Sequence, residues 1–205
     1  LAGSEDSDGD GLRNCLDPEI YTQRFEDFGG PAGWSIVNLS GGETPQWVQT
    51  AGAYREDSGA SRSLALTPDL GTIDTWVVTA RLRSDDLADP AASNEGAGIA
   101  IGFTSPQAPF VLLALRNPTA FRADPSFEPL LCVGDDCVPC GPPAAIEPLV
   151  TGRWVAVRAQ ARDGAVTFDL NGVRLSGTTC PVSLALRRVG LFSDDSDGGL
   201  WYDDL

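Results

Sequence analysis

The sequence predicts an all-β fold in which two antiparallel sheets pack face to face as a sandwich. From residue 25 onward, short strand-like segments are separated by turn residues, which is typical of a sandwich or barrel. No long amphipathic helix is indicated by the spacing of the apolar residues. A chain of 205 residues is long enough for one such domain with a sizeable core.

Five strands are clear from the sequence, and five more are fainter. Clear strands are expected at 75–83, 96–103, 109–116, 153–162 and 165–175, and fainter ones at 25–28, 45–49, 61–66, 188–193 and 199–205. The pairs Asp163-Gly164 and Asn171-Gly172 tolerate the positive φ of tight hairpin turns. Residues 153–177 are therefore predicted to form an antiparallel meander.

Alternation of apolar and polar residues assigns a buried face and a solvent face to the strands at 75–83, 153–162 and 165–175. The residues expected in the core are Trp76, Val78, Ala80, Leu82, Val155, Val157, Ala159, Ala161, Val166, Phe168 and Leu170. The residues expected on the opposite faces are Val77, Thr79, Arg81, Arg83, Arg158, Gln160, Arg162, Thr167 and Asp169. Two sheets packed through their apolar faces satisfy these patterns.

The composition excludes several classes of function. Asp and Glu number 29 against 14 basic residues, and the net charge of -15 makes nucleic acid an improbable partner because it repels phosphates. With no His, the chain has no histidine base, Ser-His-Asp triad or imidazole zinc site. No apolar run approaches the roughly 18 residues of a membrane-spanning helix. The acidity suits a calcium-rich environment, although it also serves solubility alone.

The strongest local motif is an acidic loop within residues 1–19, a segment without a periodic apolar pattern. Its spacing fits the twelve-residue calcium loop, which needs oxygen ligands at positions 1, 3, 5, 9 and 12, a carbonyl at 7 and glycine at 6. These positions hold Asp6, Asp8, Asp10, Asn14, Asp17, Leu12 and Gly11. The last ligand is Asp where Glu is usual. The loop predicts bound Ca²⁺, and the alternative is a solvated linker with accidental spacing.

The stretch DSDGDGLRNCLDPE resembles the acidic repeats of the thrombospondin type 3 family, which occur on secreted and surface proteins. The resemblance implies that residues 1–19 form a calcium-ordered spacer. Such repeats usually come in series, and one is visible in this chain.

Residues 25–205 resemble the concanavalin A-like jelly-roll superfamily, which includes laminin-G-type and legume-lectin-type domains. The resemblance is carried by FEDF, by RWVAVRAQARDGAVTFDLNGVRL and by RVGLFSDDSDGGLWYDDL. It implies a jelly-roll sandwich over 20–205 and a closing strand that can share a second calcium ion with the first strand. Glu26, Asp27 and Asp203 are candidates for that site, and ordinary edge-strand polarity is the alternative.

The resemblance favours a binding module over an enzyme. Polysaccharide hydrolases of the superfamily carry clustered carboxylates such as Glu-x-Asp-x-x-Glu on one strand, and this pattern is absent from the sequence. A carbohydrate module needs a polar face with aromatic surface. The candidates are Trp47, Arg81, Arg83, Trp154, Arg158, Gln160 and Arg162. The alternative is a structural or assembly module that binds an extracellular protein or self-associates through its edge strands.

The cysteines predict disulfides and an extracellular location. Segment 118–148 is rich in Pro and Cys and is expected to be a long loop stapled by disulfides. The cysteines are too few and too unevenly spaced for a zinc site with paired knuckles. Pairing is not determined by spacing, and we expect Cys132 with Cys137 and Cys140 with Cys180, which leaves Cys15 free or bonded elsewhere.

Overall fold

The structure is a computed structural model, and it confirms a sandwich of two antiparallel sheets. It describes residues 34–41, 44–50, 53–56, 62–73, 75–85, 96–116, 126–145, 152–162, 165–175, 180, 186–194 and 200–203. The calcium loop, the predicted strand at 25–28 and the boundary between residues 19 and 20 lie outside these ranges.

Fifteen strands form in the described residues, and no helix is present among them. In chain order they are β1 Ser35–Asn38, β2 Trp47–Thr50, β3 Ala53–Glu56, β4 Ser63–Leu66, β5 Trp76–Ser84, β6 Gly96–Ile101, β7 Phe110–Arg116, β8 Ser126–Val133, β9 Asp136–Pro139, β10 Ala144–Ala145, β11 Val155–Arg162, β12 Ala165–Leu170, β13 Val173–Arg174, β14 Val189–Asp194 and β15 Leu200–Asp203. The described part of the chain therefore contains no helix that could cross a membrane.

The chain passes repeatedly between the two sheets. The eight-stranded sheet has the order β1-β4-β14-β6-β7-β8, and β9 and β10 both pair with the outer edge of β8. The seven-stranded sheet has the order β13-β12-β11-β5-β15-β3-β2. Neighbours in each sheet come from distant parts of the sequence, such as β5 beside β15, so long-range pairing builds both sheets.

The main core lies between the sheets and follows the predicted alternation. All eleven residues assigned to the core on β5, β11 and β12 are buried. From the eight-stranded sheet, residues such as Ile99, Leu113 and Leu191 pack against them in the same cluster. Complete burial of a large apolar side chain stabilises the fold by about 1.5–3 kcal/mol.

The predicted meander at 153–177 is present as β11, β12 and β13. Arg162 pairs with Ala165, and Leu170 pairs with Val173 across the second turn. In that turn Asn171 and Gly172 have φ values of 47° and 80°, as a type I′ hairpin requires. The Asn171 Oδ1 also accepts a hydrogen bond of 2.9 Å from the Ala156 backbone N–H, which fixes the turn to the start of β11.

The outer face of the eight-stranded sheet, for which alternation made no prediction, is buried like its inner face. A second buried apolar cluster covers it, with Leu66, Phe110, Leu112, Cys132 and Phe192 at 2% exposure or less. Strands β6 and β7 are almost continuously apolar, GAGIAI and FVLLALR, and such runs are typical of strands buried on both faces. This face is therefore closed to solvent.

The prediction of a long loop over 118–148 is wrong for residues 126–139. These residues form the β8–β9 hairpin, and β8 pairs along its whole length with β7. Apolar residues such as Phe127 and Leu130 pack on both faces of β8 and outweigh the disfavoured Pro129. The turn places Gly134 at a φ of 63°, which glycine adopts at little cost. Both anticipated disulfides, Cys132–Cys137 and Cys140–Cys180, are present.

A buried polar cluster lies between the sheets at β2, β3 and β15. The Trp47 indole N–H donates to the Ser63 hydroxyl at 3.2 Å, and the Trp47 ring lies 5.3 Å from the Tyr202 ring. The Tyr202 hydroxyl donates to the backbone carbonyl of Phe192. Burial raises the pKa of Tyr202 well above its ordinary value, and the carboxylate of the fully buried Glu56 adds to the shift. These side chains are therefore part of the packed interior between the sheets.

Candidate functional site

Two tryptophans and two arginines form a row across four neighbouring strands of the seven-stranded sheet. Trp201 on β15 pairs with Arg55 on β3 and with Arg83 on β5. Trp154 lies beside Arg83, because the next residue, Val155, pairs with Leu82. Alternate positions on these strands enter the core, so the row stands on the outer face. We call Arg55, Trp201, Arg83 and Trp154 the Trp–Arg row.

The row is held together by contacts between guanidinium groups and indole rings. The Arg83 guanidinium carbon lies 4.7 Å from the centre of the Trp201 ring and 5.2 Å from that of Trp154. Arg55 lies 5.1 Å from the Trp201 ring, and Arg81 lies 5.6 Å from the Trp154 ring. All these distances are within the range in which a cation is attracted to an aromatic face. The row is therefore a continuous stack.

Two aspartates fix the orientation of the stack. Asp85 accepts from the Trp201 indole N–H at 2.8 Å and forms an ion pair with Arg83 Nε at 2.9 Å. The Arg83 Nη2 donates to the other Asp85 oxygen at 3.1 Å, so both Asp85 oxygens lie close to the Arg83 guanidinium. Arg81 and Asp203 form the next outward-facing cross-strand pair of β5 and β15, and Arg81 Nη2 lies 2.7 Å from Asp203 Oδ2. These contacts restrict the side chains before any ligand arrives.

The same face continues along β11 and β12 with polar side chains. Arg158 is exposed, and its Nη2 donates to Gln160 Oε1 at 3.4 Å. Asp169 is the cross-strand neighbour of Arg158, but its carboxylate accepts from Arg174 on β13. Among the described residues, Arg158 thus borders the Trp–Arg row without a carboxylate partner.

The charge of this face is opposite to that of the whole molecule. Among the described side chains it carries five arginines and three aspartates, in a chain with 29 acidic residues and a net charge of -15. The five arginines are Arg55, Arg81, Arg83, Arg158 and Arg174, and the three acids are Asp85, Asp169 and Asp203. The face is a local basic patch with two indole rings in it.

This arrangement can bind a flat polar molecule. The indoles offer apolar surface to the C–H groups of a ligand, and arginine offers N–H donors in a fixed planar geometry. Each carboxylate on the face is paired with an arginine. Among the described residues of this face, the carboxylates are thus held in ion pairs with arginine.

The structure brings together most of the residues predicted to bind a ligand. Arg81, Arg83, Trp154, Arg158 and Gln160 share the outer face of the seven-stranded sheet. Position 162 on β11 belongs to the same face as Arg158 and Gln160, but the structure does not describe the Arg162 side chain. Trp47 lies instead against the main core.

Two members of the row, Arg55 and Trp201, were missed by the sequence reasoning. Strand β3 was not predicted, so Arg55 had no assigned face. In the predicted closing strand, Trp201 alternates with the buried Tyr202, and this alternation was the available signal.

The predicted calcium ligands, with one exception, lie outside the described residues. Asp6, Asp8, Asp10, Leu12, Asn14 and Asp17 lie outside them, as do Glu26 and Asp27. Asp203, the remaining candidate for the second site, forms an ion pair with Arg81. No group of three or more His, Cys, Asp or Glu suited to a metal ion occurs in the part of the chain that the structure describes.

Comparison with known proteins identifies the fold. No protein-family model matches the sequence, and no curated protein matches it. Among solved structures, the chain is similar to the carbohydrate binding module CBM66 from Bacillus subtilis, with a TM-score of 0.63, 9% identity and coverage of 84% of this chain and 92% of the other. It is also similar to a galectin-like protein of unknown function from Bacillus subtilis, with a TM-score of 0.63, 11% identity and coverage of 87% and 90%.

A third similar structure belongs to an enzyme. The GlcNAcα1-4Gal releasing endo-β-galactosidase from Clostridium perfringens has a TM-score of 0.57 and 9% identity, with coverage of 88% of this chain and 60% of the other. Identities this low establish the architecture alone. The neighbours are consistent with the predicted concanavalin-like jelly-roll sandwich.

Proposed function

We propose that this protein is a non-catalytic carbohydrate-binding module whose ligand lies along the Trp–Arg row. The observation that carries the proposal is the in-register stack of Trp201, Arg83 and Trp154 on a solvent face. Both indoles are half-buried, so each keeps accessible surface. Sugars present apolar C–H faces and polar hydroxyls together, and this stack offers complementary groups for both.

The character of the two sheets supports the choice of face. The outer face of the eight-stranded sheet is apolar and closed, with Phe110 and Leu112 at 0% exposure. The outer face of the seven-stranded sheet is polar and open over a width of five strands, from β3 to β12. The similarity in fold to a solved carbohydrate binding module supports the proposed class of function.

Binding without catalysis fits the pairing of the acids. Asp85, Asp169 and Asp203 each accept from an arginine on the same face. A glycosidase needs one carboxyl group to donate a proton and a second to attack or activate water across the sugar. The ion pairs instead hold the arginine side chains in position.

Replacement of Trp201 with alanine is expected to weaken oligosaccharide binding by about tenfold, because one central aromatic contact is typically worth more than 1 kcal/mol. The Trp201→Phe variant keeps an aromatic surface and should retain most of the affinity. A glycan array followed by isothermal titration calorimetry measures both effects. Val138→Ala is the control, because Val138 is 59% exposed on the other sheet. Equal affinities of the wild type and the Trp201→Ala variant for the oligosaccharide would contradict the proposal.

We further propose that the protein works outside the cell and that residues 6–17 bind calcium. The two disulfides are typical of an oxidising compartment. The spacing of the oxygen donors in the sequence carries the calcium proposal.

Chelation of calcium is expected to increase proteolytic cleavage within residues 1–19, because metal binding orders a segment that lacks a core of its own. The Asp8→Ala variant should behave with calcium as the wild type does with chelator. Limited proteolysis followed by mass spectrometry locates the cleavage sites. Identical cleavage with and without chelator would contradict a calcium site in this loop.

A further inference from the structure

We infer that the ligand of this face is an acidic saccharide, and that its anionic group binds above Ala156 between Arg81 and Arg158. The inference rests on the proposed function and names the class of sugar. It is carried by Arg158, which lies beside the Trp–Arg row without a carboxylate partner among the described residues, and by the small Ala156 between Arg158 and Trp154.

The small side chain of Ala156, between larger neighbours, predicts a depression on the outer face. Trp154, Ala156 and Arg158 point outward from alternate positions of one strand, about 6.6 Å apart in succession. Ala156 is exposed and is paired across the sheet with Arg81. A single methyl group therefore lies between the strand positions of one tryptophan and two arginines. The space above it suits a compact anion such as a carboxylate or a sulfate ester.

Arg158 is the cation that this site leaves without an internal counter-ion. Asp169, its neighbour on β12, is engaged by Arg174 through both oxygens. The contact that Arg158 makes is with the neutral Gln160 carboxamide at 3.4 Å. No carboxylate in the described part of the chain lies within ion-pair distance of its guanidinium. A planar guanidinium matches the geometry of carboxylate and sulfate oxygens.

The neighbouring contacts set the position of the sugar ring. Arg81 is held by Asp203 at 2.7 Å and lies 5.6 Å from the Trp154 ring, so its position is fixed on the second side of the depression. A sugar whose anion sits above Ala156 places its ring against Trp154, which belongs to the proposed sugar site. The net charge of -15 of the whole chain opposes unspecific attraction of polyanions, so the patch must select its ligand through local contacts.

Calorimetry with matched neutral and acidic oligosaccharides tests this inference. The probes are an oligogalacturonate, its methyl ester and a sulfated oligosaccharide of equal length. We expect the wild type to bind at least one acidic probe about tenfold more tightly than the methyl ester, with the preference reduced by added salt. The better acidic probe identifies the anionic group as carboxylate or sulfate.

The Arg158→Gln variant should lose this preference and bind the acidic probe and its methyl ester with similar affinities. Arg187→Gln is the matched control, because Arg187 is an exposed arginine outside the seven-stranded sheet that pairs with Asp69. Equal binding of acidic and neutral probes by the wild type, or an unchanged preference in Arg158→Gln, would overturn the inference. If neutral sugars bind and Trp201→Ala weakens that binding, the proposed function stands and the inference about acidic sugars fails. If no sugar binds, both fail.

Discussion

Replacement of Phe168 with alanine is expected to lower the free energy of unfolding by about 3–5 kcal/mol. Phe168 lies in the centre of the main core at 0% exposure, on β12 opposite Ala159 of β11. The small partner leaves the ring to fill the space between the sheets, and its removal creates a cavity. Because domains of this kind are stable by about 5–15 kcal/mol, this loss is a large fraction of the total.

Chemical denaturation followed by circular dichroism measures this change. Thr167→Ala is the control, because Thr167 is adjacent on β12 and belongs to the outer face, where substitutions usually change stability by no more than about 0.5 kcal/mol. A loss below about 1 kcal/mol for Phe168→Ala would show that the ring is not enclosed by both sheets.

Removal of the Cys140–Cys180 disulfide by a double alanine substitution is expected to cost about 4 kcal/mol. The bridge closes a loop with a sequence separation of 40 residues, and a cross-link over a loop of this length restricts the unfolded chain strongly. It joins the residue after β9, at the edge of the eight-stranded sheet, to the connection that follows β13 of the other sheet.

The second disulfide provides the comparison for this prediction. Cys132–Cys137 has a sequence separation of 5, so its removal should cost about 2 kcal/mol by the same loop-entropy argument. Denaturation of the two double variants, both without free thiols at the changed positions, gives the difference directly. The entropic account would be contradicted by a larger loss for the short loop.

Most of the seven-stranded sheet could be predicted from the sequence. Its strands β5, β11 and β12 have one core face and one solvent face, so a period of two residues identifies both faces. The Asn171-Gly172 pair also defines the turn that joins β12 to β13. Local patterns of this kind depend on neighbouring residues alone.

The eight-stranded sheet was predicted less completely because it is buried on both faces. Its continuous apolar runs indicate strands without showing which side chains face the other sheet. Pro129 and the nearby cysteines concealed β8, whose Phe127 and Leu130 pack into different clusters. Packing on two sides thus overrides the local preference that the sequence displays.

The candidate site was predicted in part for a similar reason. Alternation placed Arg81, Arg83 and Arg158 on solvent faces, and the structure brings them onto one face. The contact of Arg55 with Trp201 depends on pairing between β3 and β15, which are far apart in sequence. Register between distant strands is a tertiary property, and no local pattern supplies it.

Nuclear magnetic resonance of the tryptophan indole groups tests the central claim most directly. The chain has five tryptophans, and each gives one indole N–H signal that single substitutions can assign. Titration with a bound oligosaccharide should shift the signals of Trp154 and Trp201 and leave those of Trp34, Trp47 and Trp76, which pack with the main core, almost unchanged. Shifts at Trp34, Trp47 or Trp76 with none at Trp154 and Trp201 would contradict the claim that the Trp–Arg row holds the ligand.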